Sequence, residues 1–271
     1  MKKLFFFALI VLASCSRSPV QLTILHTNDT HSQIEPRESD NRGGYARRMS
    51  LIAEERLADP DLILLDAGDF WQGTPYFNFF RGEVEIDAMN RMHYDAATLG
   101  NHEFDNGVNA LAEQLGKAEF AIVCANYRVE NTPLEEIVKP YVILRRKGLK
   151  IGVIGLGVNP ESLVAADNFA PLVWEHPFPV ADSIASMLKS KEHCDLVVCL
   201  SHLGTMVSHG DSTDICDVSL ARQSEDIDVI VGGHTHRVEN LTVKNRLGKD
   251  VLVVQTGKSG MNLGKITLQI E

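Results

Sequence analysis

Five apolar runs in this chain stop abruptly, and each stops in residues that bind metals or move protons. The endings read "HTNDTHS", "DAGDFWQG", "GNHEFD", "LSHLG" and "GGHTH". Unbroken β-branched runs of this kind mark strands buried on both faces. Between them lie stretches with apolar residues at helical spacing, such as Ile86, Met89 and Met92, or Val180, Ile184, Met187 and Leu188. The alternation implies an α/β domain whose helices cover a buried sheet. In such a sheet the loops beyond the carboxyl ends of the strands converge on one crevice, so five polar endings on one edge would build one site.

The remaining elements follow the same reading. "QLTILHT", "DLILLDAGD", "AATLGN", "FAIVCAN", "DLVVCLSH" and "DVIVGGHTH" are strands or strand ends, and a polar loop runs from Asn28 to Asn41. "YARRMSLIAEERLA" is a helix with Met49, Ile52, Ala53 and Leu57 as its apolar stripe; "VNALAEQL" is a helix capped by Asn106; a short helix lies near Leu220. "YVILRRKGLKIGVIGL" reads as two strands joined at Lys147 and Gly148, and three strands close the chain around "LTVKN", "VLVVQT" and "KITLQI". Repeated strands joined at Gly148 and Gly248 suggest a second sheet stacked on the first.

Of ten histidines, His31, His102, His202, His234 and His236 fall at the polar endings, interleaved with Asp29, Asp69 and Asn101. Mixed nitrogen and oxygen donors suit zinc, manganese or iron better than copper(I) or calcium. There are more donors than one tetrahedral ion uses, which favours two divalent ions. Taken singly, each piece has a plainer reading: Asp29 and His31 as an Asx-turn with a surface histidine, Asp69 as a helix cap, His202 as a satisfied polar residue. In "GGHTH" the glycines allow close backbone approach, and its two histidines can reach two ions. Five such endings in order, each after a strand, are poorly explained as independent turns.

The 271 residues carry 26 basic and 36 acidic side chains, a net charge of −10. That balance argues against general affinity for nucleic-acid polymers, which are held mostly by Lys and Arg. An anionic substrate would need a local cation. Residues 1–14 read as an export signal, with Lys2 and Lys3 followed by an apolar run too short to span a bilayer. Their removal would leave the chain at −12. "LASC" resembles the bacterial lipobox, which implies lipid on Cys15, a short linker over 15–19, and an exported protein tethered to a membrane on the periplasmic side or cell surface. Cys124 and Cys199 sit inside apolar runs as buried thiols, while Cys194 and Cys216 could pair.

The series "NDTH", "GDFWQG", "GNHEFD", "SHLG" and "GGHTH" resembles the calcineurin-like metallophosphatases. The longer strings "TILHTNDTHS", "DAGDFWQGTP" and "TLGNHEFDNG" are similar to the catalytic domain of its 5′-nucleotidase branch. The resemblance covers residues 20–271 and implies a four-layer α/β/β/α sandwich of two stacked mixed sheets flanked by helices. It implies two divalent ions, one held by Asp29, His31 and His236, the other by Asn101, His202 and His234, with Asp69 as the bridge. A shared carboxylate screens the repulsion between two close cations. His102 becomes the histidine that meets the substrate, oriented and kept protonated by Asp105. The implied reaction is in-line attack of metal-bound hydroxide on the phosphorus of a phosphate ester, a nucleotide in this branch.

Full-length members of the branch carry a second, C-terminal domain that reads the nucleoside; this sequence ends at Glu271. A separate polypeptide supplying that domain is therefore an expected partner, or else the catalytic domain acts on a wider range of esters. Two other readings share these residues: a hydrolase of cyclic nucleotides, diesters or sugar diphosphates, and a non-catalytic lipoprotein that binds a partner. Other residues receive plainer roles. Glu103 is structural, His26 is a buried hydrogen-bonding histidine, and His93, His176 and His193 lie at the surface or at helix ends. His209 could approach the cleft, Phe70, Trp71 and Gln72 pack beside Asp69 unless their loop touches the substrate, and Arg47 and Arg48 are solvated or ion-paired.

Overall fold

The computed structural model describes residues 18–206 and 215–271. The export signal, Cys15 with the first part of its linker, and His209 lie outside the described residues. In chain order the elements are β1 (Val20–Thr27), α1 (Tyr45–Ala58), β2 (Ile63–Asp66), α2 (Pro75–Phe80), α3 (Glu83–Arg91), β3 (Ala96–Ala97) and α4 (Gly107–Leu115). Then come β4 (Ala121–Val123), β5 (Tyr127–Arg128), β6 (Val138–Lys139), β7 (Tyr141–Arg146), β8 (Leu149–Leu156), α5 (Ala166–Phe169), β9 (Val173–Trp174) and α6 (Pro177–Ser190). The chain closes with β10 (Leu196–Ser201), α7 (Asp217–Gln223), β11 (Val229–Gly232), β12 (Val238–Lys244), β13 (Asp250–Thr256) and β14 (Gly264–Ile270).

Two six-stranded mixed sheets form, in the orders β14-β1-β2-β3-β4-β6 and β12-β13-β11-β10-β8-β7. In the first only β14 runs antiparallel; in the second both edge strands, β7 and β12, do. Alternation along each strand assigns side chains to layers. Leu22, Ile24, Ile63, Leu65 and Val123 meet Ile151, Val153, Val198, Leu200 and Val231 between the sheets. Leu25, Leu64, Ala97 and Ile122 face outward onto Ile52, Phe77, Ile86, Met89 and Leu111 of the first helical layer. On the other side Ile154, Val197, Cys199 and Ile230 pack against Ala181, Ala185 and Leu188 of α6 and Leu220 of α7. The result is the four-layer α/β/β/α sandwich. Among the described residues no helix is long and apolar enough to cross a membrane.

The β7–β8 hairpin turns at Lys147 and Gly148 with φ of 52° and 79°, the left-handed pair that a tight hairpin requires. Both this hairpin and β12–β13 lie in the second sheet, whereas β14 crosses back to pair with β1. The first helix turns a different face inward than its apolar residues suggest. Leu57 is 87% exposed, and Tyr45, Arg48 and Ile52 are buried. Arg48 is thus not solvated: its guanidinium lies 4.6 Å from the Tyr45 ring centre, a cation–π contact that compensates burial in part. Asn106 precedes α4 without a side-chain capping bond. Cys124, Cys194, Cys199 and Cys216 are all buried free thiols, so Cys194 and Cys216 do not pair.

Candidate metal centre

Strand register makes the five polar endings level. Thr27 pairs with Asp66 and Asp66 with Ala97, each the last residue of its strand, and in the second sheet Ser201 pairs with Gly232. The two carboxyl edges lie side by side, so the loops that follow meet. Their backbones are strained at the meeting point. Asp29, His31, Asp69, His234 and His236 all have positive φ, between 46° and 70°. Left-handed backbone costs a residue with a side chain about 1–2 kcal/mol, and such strain gathers where a fixed geometry is needed.

Asp29, His31 and His236 form one cluster. The two imidazole Nε2 atoms are 3.0 Å apart, and Asp29 Oδ1 lies 3.3 Å from His236 Nε2 and 3.9 Å from His31 Nε2. Asp69, His202 and His234 form a second, each offering an atom within 4.8 Å of the others. His202 Nε2 stands 3.0 Å from Asp69 Oδ2 and 3.9 Å from Asp29 Oδ1, so the clusters adjoin. His202 Nδ1 lies 2.7 Å from the carbonyl oxygen of Ala67, to which it donates; that bond orients the ring so that Nε2 faces the carboxylates and is left to bind a cation once deprotonated.

Burial and neighbours act on these imidazoles in opposite senses. Burial, with the neighbouring His202, pushes His234 down to about 4. Burial alone would also lower His202, but the carboxylates of Asp69 and Asp29 outweigh it and push it up to about 10. Asp69 is held below the usual carboxylate range: the His202 imidazolium overcomes the penalty of burial.

The donors fit divalent cations. Asn101 Oδ1 and His202 Nε2 are buried and lack a hydrogen-bond partner. A buried polar atom left unpaired costs about 1–3 kcal/mol, a penalty that coordination to a cation would remove. Imidazole nitrogens with carboxylate and amide oxygens suit zinc, manganese or iron. Two glycines keep the approach open. A Cβ on Gly100 would strike the Asp69 carboxylate, and one on Gly233 would come within 2.8 Å of His202 Nδ1. Gly100 is therefore required by contact rather than by a left-handed turn.

His102 stands over this centre on a 3-10 turn, His102–Phe104. Its Nδ1 lies 2.9 Å from Asp105 Oδ2, which raises its pKa and favours the imidazolium. Its backbone N–H donates to Asp69 Oδ1 at 2.9 Å. His31, His102 and His236 line a cleft of about 290 Å³, completed by Gln33, Gln72, Gly73, Lys258 and Ser259. A larger hollow of about 750 Å³ shares Gln33 with the cleft and continues along Glu35–Ser39 and Thr74–Tyr76.

The calcineurin-like phosphoesterase family model matches residues 22–238, the segment that supplies every residue of both clusters. The chain belongs to this family. Calcineurin-like phosphoesterases are metal-dependent hydrolases of phosphoester bonds. The chain is 34% identical over 228 residues to the snake venom 5′-nucleotidase of Naja atra, an alignment covering 80% of this chain and 41% of that one. It is 31% identical over 283 residues to the trifunctional nucleotide phosphoesterase of Bacillus subtilis, covering 92% of this chain and 18% of the other. The 5′-nucleotidase precursor of Thermus thermophilus superposes with a TM-score of 0.79 at 32% identity, over 93% of this chain and 55% of that structure. The chain thus spans less than half the length of the curated relatives it matches.

Glu103 is structural as expected, and Asn28 and Gln255, which the sequence did not single out, join it in holding the site in place. Buried Glu103 accepts hydrogen bonds from the backbone N–H groups of Asp69, Phe70, Trp71 and Gly100, tying the second and third endings together. Burial and the Asp69 charge push it up to about 8, while the N–H donors favour its ionised form. Asn28 donates to Asp29 Oδ2 at 2.6 Å and to the Gly257 carbonyl at 2.7 Å. Gln255 accepts from Arg237 N–H at 2.5 Å and donates to the Gly233 carbonyl at 2.5 Å, bracing the loop of His234 and His236. Phe70 and Trp71 are packed in the core. His26 is buried, but its Nδ1 has no partner, and burial lowers it to about 4. His93 and His193 are exposed, and His176 caps α6 through Nδ1, which accepts from Phe178 N–H at 3.4 Å.

Proposed function

We propose that this protein is a dinuclear metal-dependent phosphomonoesterase of 5′-nucleotidase type. The observation that carries the reading is the pair of adjoining donor clusters, Asp29–His31–His236 and Asp69–His202–His234, with Asn101, whose buried Oδ1 has no partner, following a Gly100 packed against Asp69 and His202. Asp29, His31 and His236 would hold one ion, and Asn101, His202 and His234 the other, with Asp69 shared. Bound there, zinc, manganese or iron would supply Lewis acidity at a phosphoryl oxygen and a water nucleophile at neutral pH. His102, its Nδ1 engaged by Asp105, presents Nε2 to the cleft. There it donates a hydrogen bond to the phosphoryl group or a proton to the leaving alcohol. Glu103 and Asn28 keep the loops from drifting while charge develops. The nucleotide assignment rests on the 5′-nucleotidase relatives, and the hollow beyond Gln33 has room for a leaving group of nucleoside size.

Purified protein loaded with manganese or zinc should hydrolyse nucleoside monophosphates and aryl phosphates with about two ions per chain. His102→Ala should cost roughly 10²–10⁴-fold in kcat with metal content retained. Asp69→Asn should lose metal as well as activity. Absence of turnover on every phosphate ester tested would reject the reading, and full activity of Asp69→Asn would reject the shared carboxylate. Cleavage of diesters or cyclic nucleotides without monoesters would move the assignment to a diesterase built on the same residues.

A further inference from the structure

Two divalent ions would supply most of the positive charge that a phosphate meets in this acidic protein, and one side chain of the cleft adds to it. Lys258 is the only lysine or arginine among the described residues that line it. Its side chain is exposed and forms no ion pair among the described residues. The lining contains no carboxylate to neutralise it. The root of the side chain is fixed: Ser259 N–H donates to the Asp29 carbonyl at 2.6 Å, and Asn28 clamps Gly257 and the Asp29 carboxylate together. Lys258 is therefore carried on a loop bonded to both ends of a candidate metal ligand, with its ammonium group free to meet what enters. In a concave site on a chain of net charge −10, an unpaired ammonium focuses attraction on anions.

We propose that Lys258 is a specificity residue that favours the phosphate of monoesters over that of diesters. The inference rests on the phosphomonoesterase reading above. A monoester phosphate carries about −1.5 to −2 charges at pH 7 and three terminal oxygens, whereas a diester carries about −1 and two. A compact ammonium with three rotatable donors discriminates by charge and by the extra oxygen, without demanding one fixed orientation.

The test compares wild type with Lys258→Gln and Lys258→Arg at equal metal content. The ratio of kcat/KM for p-nitrophenyl phosphate to that for bis(p-nitrophenyl) phosphate should fall about tenfold in Lys258→Gln, through the KM of the monoester. Lys258→Arg should keep most of the preference. Calorimetric titration with inorganic phosphate and with dimethyl phosphate reads the same preference without turnover, so it separates this inference from the catalytic reading. The ratio of the two affinities should also fall about tenfold. A ratio within twofold of wild type, whether both ligands weaken equally or neither does, overturns the proposal.

Discussion

His102 and Asp105 stand three residues apart on a 3-10 turn, the spacing that brings an imidazole nitrogen and a carboxylate to 2.9 Å. The hydrogen bond raises His102 more than its partial burial lowers it, so the imidazolium persists to higher pH than in a free histidine. If His102 acts as the proton donor, the alkaline limb of the pH–rate profile marks its deprotonation. Asp105→Asn removes the charge that holds the proton, so that limb should move to lower pH and kcat should fall roughly 10–100-fold, as for other residues that orient a reacting group. A profile measured on aryl phosphate decides the point; an unmoved alkaline limb would free His102 of the acid role. At this scale the chemistry was legible where a residue type is itself rare after a strand, as with the histidines of "GNHEFD" and "GGHTH". Glu103 was legible as structural but not in its partners, and Asn28 and Gln255 were not legible, because they act by bonding backbone far away in sequence and nothing in their neighbours announces it.

Elements show the same division between local and distant information. The helices α3 and α6 and the β7–β8 hairpin follow from spacing and turn chemistry alone. The inward face of α1 did not, since Arg48 lies inside and Leu57 outside. The apolar moment assumes that burial follows hydrophobicity, and the Tyr45 ring and the Tyr94–Asp66 polar cluster beside Arg48 overrule it. The short α2, with no helical period in "PYFNFF", and the return of β14 to the first sheet depend on tertiary pairing that one sequence does not display. Contact between the sheets makes a sharp test at this scale. Gly155 on β8 faces β4 so closely that a Cβ would collide with the Val123 carbonyl, while Gly155 O accepts from Ala125 N–H at 2.8 Å. A backbone carbonyl cannot rotate away as a side chain can. Gly155→Ala should therefore destabilise by about 1–3 kcal/mol or more, read from the urea midpoint, despite adding one methyl group to an apolar interior. A midpoint equal to wild type would show that the sheets can slide apart at little cost.

Across the whole molecule the centre links the two sheets, because Asp29, His31, Asp69, Asn101 and His102 follow strands of the first, and His202, His234 and His236 follow strands of the second. Ions held between them would tie the layers together, and stability should depend on metal. At a free metal concentration a hundred times Kd, linkage gives about 2.7 kcal/mol. For a domain of this size that is a rise in Tm of roughly 5–10 °C. The proton competes for the same place. His202 is pushed up to about 10 without metal, above the ordinary 6.5 of an unfolded histidine. The metal-free protein therefore gains stability from this proton fully below pH 6.5 and loses it as pH rises towards 10. A ligating imidazole must be neutral, so metal affinity should weaken about tenfold for each unit that pH falls below that value. The sign follows: the gap in Tm between metal-loaded and chelator-treated protein should widen from pH 6 to pH 8. Asp66, Glu103 and Asp217, pushed up by burial to about 7, about 8 and about 8, also ionise over this range, and the negative charge they add near the ions acts in the same direction. Scanning calorimetry with and without manganese at these two pH values measures it, and a gap that narrows as pH rises would place the ions elsewhere than on His202.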